Sequence, residues 1–249
     1  MNLELEITEK DLTEREDIRK RISSHLANKG LIICASDTCY SVAAKCTFSD
    51  IGQILKIILE RKNMPFSVAV ENIQMAEKYL VNSDTITSEL LKYFTPGPIT
   101  CISTIAEKHK GLSDIIHASK DGSIGIRIPE SIETTIARLA NCPITTVPAK
   151  IGDNHPIRDY DEAVSCIKDS LERNKKKLNK VIDINNLKLA AIKSNARFKD
   201  NLSTVVRIKD IRTAQRLEIV RLGYITKDIL EQFLSEKQYY DWSIVDGVI

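Results

Sequence analysis

The chain has 249 residues, 43% of them hydrophobic and 28% charged, with a formal net charge of +2. That is enough chain for one sizeable core, and the near-neutral charge excludes a field that would draw the whole molecule to nucleic acid, so an anion site has to be built by local clustering. No uncharged stretch is long and apolar enough to span a bilayer, and the start MNLELEITEKDL lacks the basic and apolar blocks of a secretory signal, so a cytoplasmic address with no membrane partner is expected.

The six cysteines form no C-x-x-C pair, and the four histidines are scattered, so a zinc site is not expected and the thiols read as reduced core residues. One basic run, Arg173-Asn174-Lys175-Lys176-Lys177 followed by Lys180, reads either as a solvated helix end or as a contact for RNA.

In chain order, Leu3–Thr8 alternates and suggests an edge strand. Asp11, with Glu14 at capping-box spacing, opens a helix whose Ile18, Ile22 and Leu26 share a face before Gly30. The apolar run Leu31–Cys34 reads as a buried strand that delivers Ser36-Asp37-Thr38 to a sheet edge, with apolar character resuming at Tyr40. Ser49 or Asp50 caps a second helix carrying Ile51, Ile54, Leu55 and Ile58. A short strand, Phe66–Val70, and helical segments near 72–80 and 84–94 follow, ending at Pro96-Gly97-Pro98, which cannot continue a helix.

Beyond lie a strand, Ile99–Ile105, a polar loop, Lys108–Ser123, and a strand, Ile124–Ile128. A helix with Ile132, Ile136 and Leu139, a threonine-bearing strand, Pro143–Val147, and a helix capped by Asp159 come next. Val181–Ile184 and Leu187–Ile192 read as strands joined by an Asn-Asn turn, followed by strands at Leu202–Ile208 and Leu217–Arg221 and a helix capped by Thr226. This interleaving implies one α/β domain over residues 1–237 with a mixed sheet, and a tail, 238–249, that packs back or frays.

Small hydroxyls, glycines and single basic residues gather at several strand ends, which suggests one polar cavity suited to anions. There is no G-x-x-x-x-G-K-[ST] loop and no G-x-G-x-x-G fingerprint, so the two commonest nucleotide folds are disfavoured.

Ser36-Asp37-Thr38-Cys39-Tyr40 resembles the P-T-[DE]-T-x-Y-G opening of the YrdC-like family, which includes the threonylcarbamoyl-AMP synthases. The family's later landmarks follow in order: Pro65, Pro96-Gly97-Pro98-Ile99-Thr100, Gly125-Ile126-Arg127-Ile128-Pro129, Ser203-Thr204-Val205-Val206 and Ile219-Val220-Arg221-Leu222-Gly223. The resemblance covers about residues 14–225 and implies an α/β fold, a YrdC-like twisted open mixed sheet with helices on its faces around a concave cavity. It also implies a reaction in which L-threonine, bicarbonate and ATP, with Mg²⁺, give threonylcarbamoyl-AMP, the precursor of threonylcarbamoyladenosine in tRNA. Ser36, Thr38, Tyr40 and Arg127 match the threonine end. Ser203, Thr204 and Arg221 match the nucleotide and phosphate end.

Two motifs depart from the pattern. Aligned on Pro65, Ile58 and Glu60 stand where the family has the Lys and Arg of its K-x-R pair, and Pro148-Ala149-Lys150 replaces S-A-N. Ser41 replaces the Gly after the tyrosine. Either Lys56, Arg61, Lys62 and Lys150 rebuild a positive phosphate pocket, or the fold has been repurposed as a non-catalytic protein that binds RNA or a nucleotide. The oligomeric state is not encoded in any pattern.

Overall fold

The computed structural model describes residues 3–61, 66–79, 85–104, 112, 123–152, 154–211 and 214–247. Thr8 closes the first strand, β1 (Leu5–Thr8), and caps the first helix, α1 (Glu9–Glu14): its hydroxyl accepts the Asp11 N–H at 3.1 Å, and the Asp11 carboxylate accepts the Thr8 N–H at 2.9 Å. The capping box is therefore Thr8/Asp11 rather than Asp11/Glu14, because Thr8 at the strand end has the extended backbone a cap requires. Extended Arg15 separates this turn from α2 (Glu16–Ala27).

All five residues of β2 (Leu31–Ala35) are buried. Side chains alternate across a strand, so Leu31, Ile33 and Ala35 join one core while Ile32 and Cys34 join another, built with Leu12, Ile18, Ile22 and Leu26 of the first two helices. A strand packed on both faces reads as a continuous apolar run.

The chain continues through β3 (Tyr40–Ala43), α3 (Ile51–Ile58), β4 (Val68–Ala69), α4 (Ile73–Glu77), α5 (Thr85–Phe94), β5 (Ile99–Thr104), β6 (Ser123–Arg127) and α6 (Glu133–Ala140). Asp50 does not cap α3 with its side chain and instead meets Lys29 at 2.7 Å. Apart from Leu112 and Ser123, the expected loop Lys108–Ser123 falls outside the described residues. The single strand expected over Pro143–Val147 is two. β7 (Ile144–Thr145) pairs with β4, and β8 (Val147–Pro148) pairs with β3, so the chain crosses between sheets at Thr146.

Asp159 caps α7 (Tyr160–Arg173) as expected, accepting the Glu162 N–H at 2.8 Å, and α8 (Lys175–Leu178) carries the basic run. Val181–Ile184 is not a strand. The Val181 N–H goes to the Leu178 carbonyl, the Asn179 side chain accepts the Ile184 N–H, and Asp183 caps a 3-10 turn, so this backbone is consumed locally. Pairing resumes at β9 (Leu189–Lys193), β10 (Thr204–Ile211) and β11 (Ala214–Arg221). Helix α9 (Lys227–Glu236) follows, and then β12 (Trp242–Asp246), which packs the tail back as a strand parallel to β11.

Two mixed sheets result among the described residues, in the orders β1-β9-β2-β3-β8 and β12-β11-β10-β5-β6-β4-β7. The larger core, with Leu31, Val42, Ile126 and Val206, takes residues from both. The expectation of one mixed sheet is corrected to two. The α/β class and its helix-covered mixed sheets stand.

Candidate active site

The site is built where β2, β6 and β11 end. After Ala35 the chain turns tightly, with the Ser36 N–H donating to the Cys39 carbonyl at 2.9 Å, and every residue from Ser36 to Ser41 is buried. Asp37 lies in this turn. It accepts from Ser36 Oγ at 3.0 Å and from Nη2 of Arg127, which ends β6 in the other sheet. Burial disfavours the charge on Arg127, yet the Asp37 carboxylate beside it holds its guanidinium above the ordinary value.

A strap of residues 194–200 covers the turn. The Lys199 N–H donates to the Asp37 carbonyl at 3.0 Å, and Arg158 ties the two segments together by donating to the carbonyls of Thr38, Lys199 and Asp200. Tyr40 packs edge-on against Phe198 and Tyr160, and its hydroxyl is engaged by the Ser194 backbone, donating to the carbonyl and accepting the N–H at 3.2 Å.

Arg221, at the end of β11, donates to the Ser203 carbonyl from Nη2 at 2.8 Å and from Nε at 3.1 Å, and to Ser203 Oγ at 3.2 Å. Burial holds its guanidinium below the ordinary value, and the charges of Arg127 and Arg61 add to the effect. The charges of Arg127 and Arg61 both bear on Arg221, and Arg127 is itself paired with Asp37. Positive charges gathered in one place raise the local potential for an anion. The Thr204 hydroxyl is taken by the loop beyond Arg221: it donates to the Ile225 carbonyl at 2.7 Å and accepts the N–H groups of Gly223 and Ile225.

At the departing motifs, Ile58 is fully buried in the core and Glu60 turns outward to Arg173, at 3.9 Å. Glu60 has φ of 52°, the left-handed conformation, which reverses the chain after α3 and carries Arg61 toward Arg221. The loop that follows β8 is pinned to the same helix end, the Gly152 N–H donating to the Leu59 carbonyl at 2.9 Å, while the Ala149 N–H donates to the Tyr40 carbonyl. Lys150 is half-buried in this loop and Lys56 half-buried on α3. Lys62 lies outside the described residues. The structure thus gathers Ser36, Thr38 and Arg127 at one end and Arg61, Ser203 and Arg221 at the other. It gives the hydroxyls of Tyr40 and Thr204 to the backbone.

A cavity of about 650 Å³ lies elsewhere, lined by Ile151, Asn154, Cys166, Asp169, Glu172 and Arg173. Arg61, Arg127 and Arg221 do not line it.

The family model for Sua5, YciO and YrdC proteins, described as "Telomere recombination", matches residues 24–223. The chain belongs to this Sua5/YciO/YrdC family. A Methanocaldococcus jannaschii relative named "Putative threonylcarbamoyl-AMP synthase" is 30% identical over 207 residues, which are 83% of this chain and 87% of the relative. Among solved structures, P. abyssi Sua5 complexed with L-threonine superposes with a TM-score of 0.72 at 16% identity. The match covers 98% of this chain but only 62% of that protein. E. coli YciO gives 0.61 at 16% identity, covering 88% and 94% of the two chains. These likenesses show the Sua5/YciO/YrdC fold.

Glu133, Ser41, Thr146 and Arg158 carry the site's internal bonding but were not among the residues matched from sequence. For Ser41 a signal existed, since it replaces the motif's glycine. Glu133 looks locally like any acid in the first turn of a helix.

Proposed function

We propose that this chain is a threonylcarbamoyl-AMP synthase-like nucleotidyltransferase that acts on L-threonine, bicarbonate and ATP. The observation that carries the reading is the buried Ser36–Thr38 turn, with Arg127 held on Asp37 and Arg221 held on Ser203, where the charges of Arg127 and Arg61 bear on Arg221. The named relative and the threonine-bound neighbour support it.

In this reading the threonine amine, as the free base, bonds to the bicarbonate carbon and water leaves, giving a carbamate. A carbamate oxygen then attacks the α-phosphorus of ATP, the bond to the bridging oxygen breaks, and pyrophosphate departs. Two anions have to approach each other for that step, and fixed positive groups offset their repulsion. Arg127 meets the threonine carboxylate, Ser36 and Thr38 contact the polar groups of the amino acid, and Tyr40 holds the floor. Arg61, Arg221 and Ser203 face the phosphates with Lys56 and Lys150 around them, Lys62 stays a candidate from the sequence for the same role, and Thr204 holds the lip. Arg61 stands in for the lost K-x-R arginine. In this reading Mg²⁺ enters as part of the substrate MgATP.

The test is to incubate the protein with labelled bicarbonate, L-threonine and MgATP and look for labelled threonylcarbamoyl-AMP and pyrophosphate. Neither product from folded protein would overturn the reading. A second reading, a non-catalytic RNA- or nucleotide-binding protein, is favoured by the outward turn of Glu60 and by the exposed Lys175, Lys176, Lys177 and Lys180. It requires tRNA binding that weakens with salt and with neutralisation of those lysines.

A further inference from the structure

Beneath the Arg127–Asp37 pair lies a second buried acid that the reaction scheme does not use. Glu133, the first residue of α6, is fully buried. Ser41 of β3 and Thr146, where the chain crosses between sheets, both donate to its Oε1, Thr146 at 2.8 Å. Among the described residues its Oε2 has no hydrogen-bond partner, and neither do Asp37 Oδ2 and Arg127 Nε. The charged or titratable groups that bear on it are Arg127 from β6, Asp37 and Cys39 from the turn, and Cys34 from β2.

Two hydroxyl donors on one oxygen and none on the other suits a carboxylic acid whose proton sits on the free oxygen. An ionised Glu133 would leave a bare anionic oxygen in the interior and set a second carboxylate against one guanidinium. Burial raises the carboxyl above its ordinary value, although Arg127 and the two hydroxyls pull the other way. Ser41 stands where the family motif has glycine, so a chain keeping the glycine has no hydroxyl at this position to anchor Glu133.

We propose that Glu133 is a positioning residue for Arg127: as a neutral acid anchored by Ser41 and Thr146, it leaves Asp37 as the anionic partner of that guanidinium. Arg127 then keeps its attraction for an anionic group of the ligand, the threonine carboxylate in the reading above, on which this inference rests. Ionising Glu133 adds a negative charge behind Arg127 and weakens the hold on the ligand.

Infrared difference spectra of the ligand-free protein against E133Q read the proton directly. A protonated-carboxyl stretch at neutral pH that is missing from the variant is expected, and its absence from the wild type overturns the inference whatever the ligand. Calorimetric titration with L-threonine from about pH 6 to about pH 9 reads the consequence. Wild-type affinity falls by up to about tenfold per pH unit once Glu133 ionises, and E133Q keeps only the part due to the ligand's own titration. Parallel curves overturn the inference. Should E133Q fail to fold, E133L supplies the non-titrating control. Should threonine bind neither protein at any pH, the proposed function falls, while the infrared comparison still decides the state of Glu133.

Discussion

Arg127 and Asp37 stand ninety residues apart in the chain and form one ion pair in the interior, with 7% and 1% of their side chains exposed. The pair joins the end of β6 to the turn after β2, so it fixes one sheet's strand end against the other's. Removing one member leaves the other as an unpaired buried charge, which costs about 3–5 kcal/mol, whereas replacing both by apolar residues is often close to neutral. D37A should therefore lower the urea midpoint sharply, and D37L/R127M should recover much of the loss without restoring threonine binding. Equal stability of D37A and wild type would show that the pair does not hold the sheets together.

The Thr204 hydroxyl serves two N–H groups and one carbonyl of the loop that follows Arg221. T204V leaves all three unpaired in a buried place, at about 1–3 kcal/mol for each group that water cannot reach. Gly223 is constrained in the same spot, since an added Cβ would lie 2.1 Å from the Leu202 carbonyl oxygen. G223A has to push the loop off β10 and should cost about 1–3 kcal/mol as an overpacking change. Both variants should also lower ATP affinity, because Arg221 hangs from Ser203 in the same segment. A thermal melt with and without ATP reads both effects, and unchanged melts would contradict the assignment.

Arg61 and Arg221 repel each other, so a polyanion between them relieves that repulsion as it binds. Pyrophosphate or MgATP at a hundred times its dissociation constant should stabilise the protein by about 2.7 kcal/mol. R61A should reduce the ATP-induced shift at a given concentration, and R61K should not restore it, because an ammonium lacks the planar fork that meets two phosphate oxygens. A full shift in R61A would remove Arg61 from the phosphate site.

Much of this fold is legible in the sequence because its helices and strands keep their periods. The run Leu31–Cys34 announces a strand packed on both faces, and Ile51, Ile54, Leu55 and Ile58 announce one helix face. Val181–Ile184 misleads because its apolar residues are spaced like a strand while Asn179 and Asp183 take up the local backbone N–H groups. The motif arginines at 127 and 221 could be matched by resemblance. The route by which Arg61 reaches them could not, since it depends on a left-handed glutamate, a conformation that favours glycine. Glu133 escaped for a different reason. Its burial is imposed by β3 and by the crossing at Thr146, distant segments that no local pattern records.

All six cysteines are free thiols, five of them buried and Cys166 half-buried. Burial pushes Cys39 up to about 11 and Cys101 up to about 12, so their thiolate fractions at mild pH are very small. A disulfide reagent at mildly alkaline pH should modify one thiol in the native protein, and that phase should vanish in C166S. The other five should react only as the protein unfolds. Fast reaction of Cys39 would mean that the strap over residues 36–39 opens readily, contrary to its tie through Arg158.

Glu133 also predicts how stability depends on pH. Its native carboxyl is raised, with burial as the largest cause, while in the unfolded chain a glutamate titrates at about 4.3. Between those two points the native state holds the proton and the unfolded state does not, so the unfolding free energy falls as pH rises. Below the unfolded value the contribution is complete, and it is lost as pH climbs through the native value, at a limiting slope of about 1.4 kcal/mol per pH unit. E133Q removes this slope and leaves the other titrating groups in place. Urea denaturation of both proteins at several pH values should show E133Q gaining on the wild type as pH rises above about 4.3. A gap that stays constant over that range would show that Glu133 titrates alike in the folded and unfolded chain.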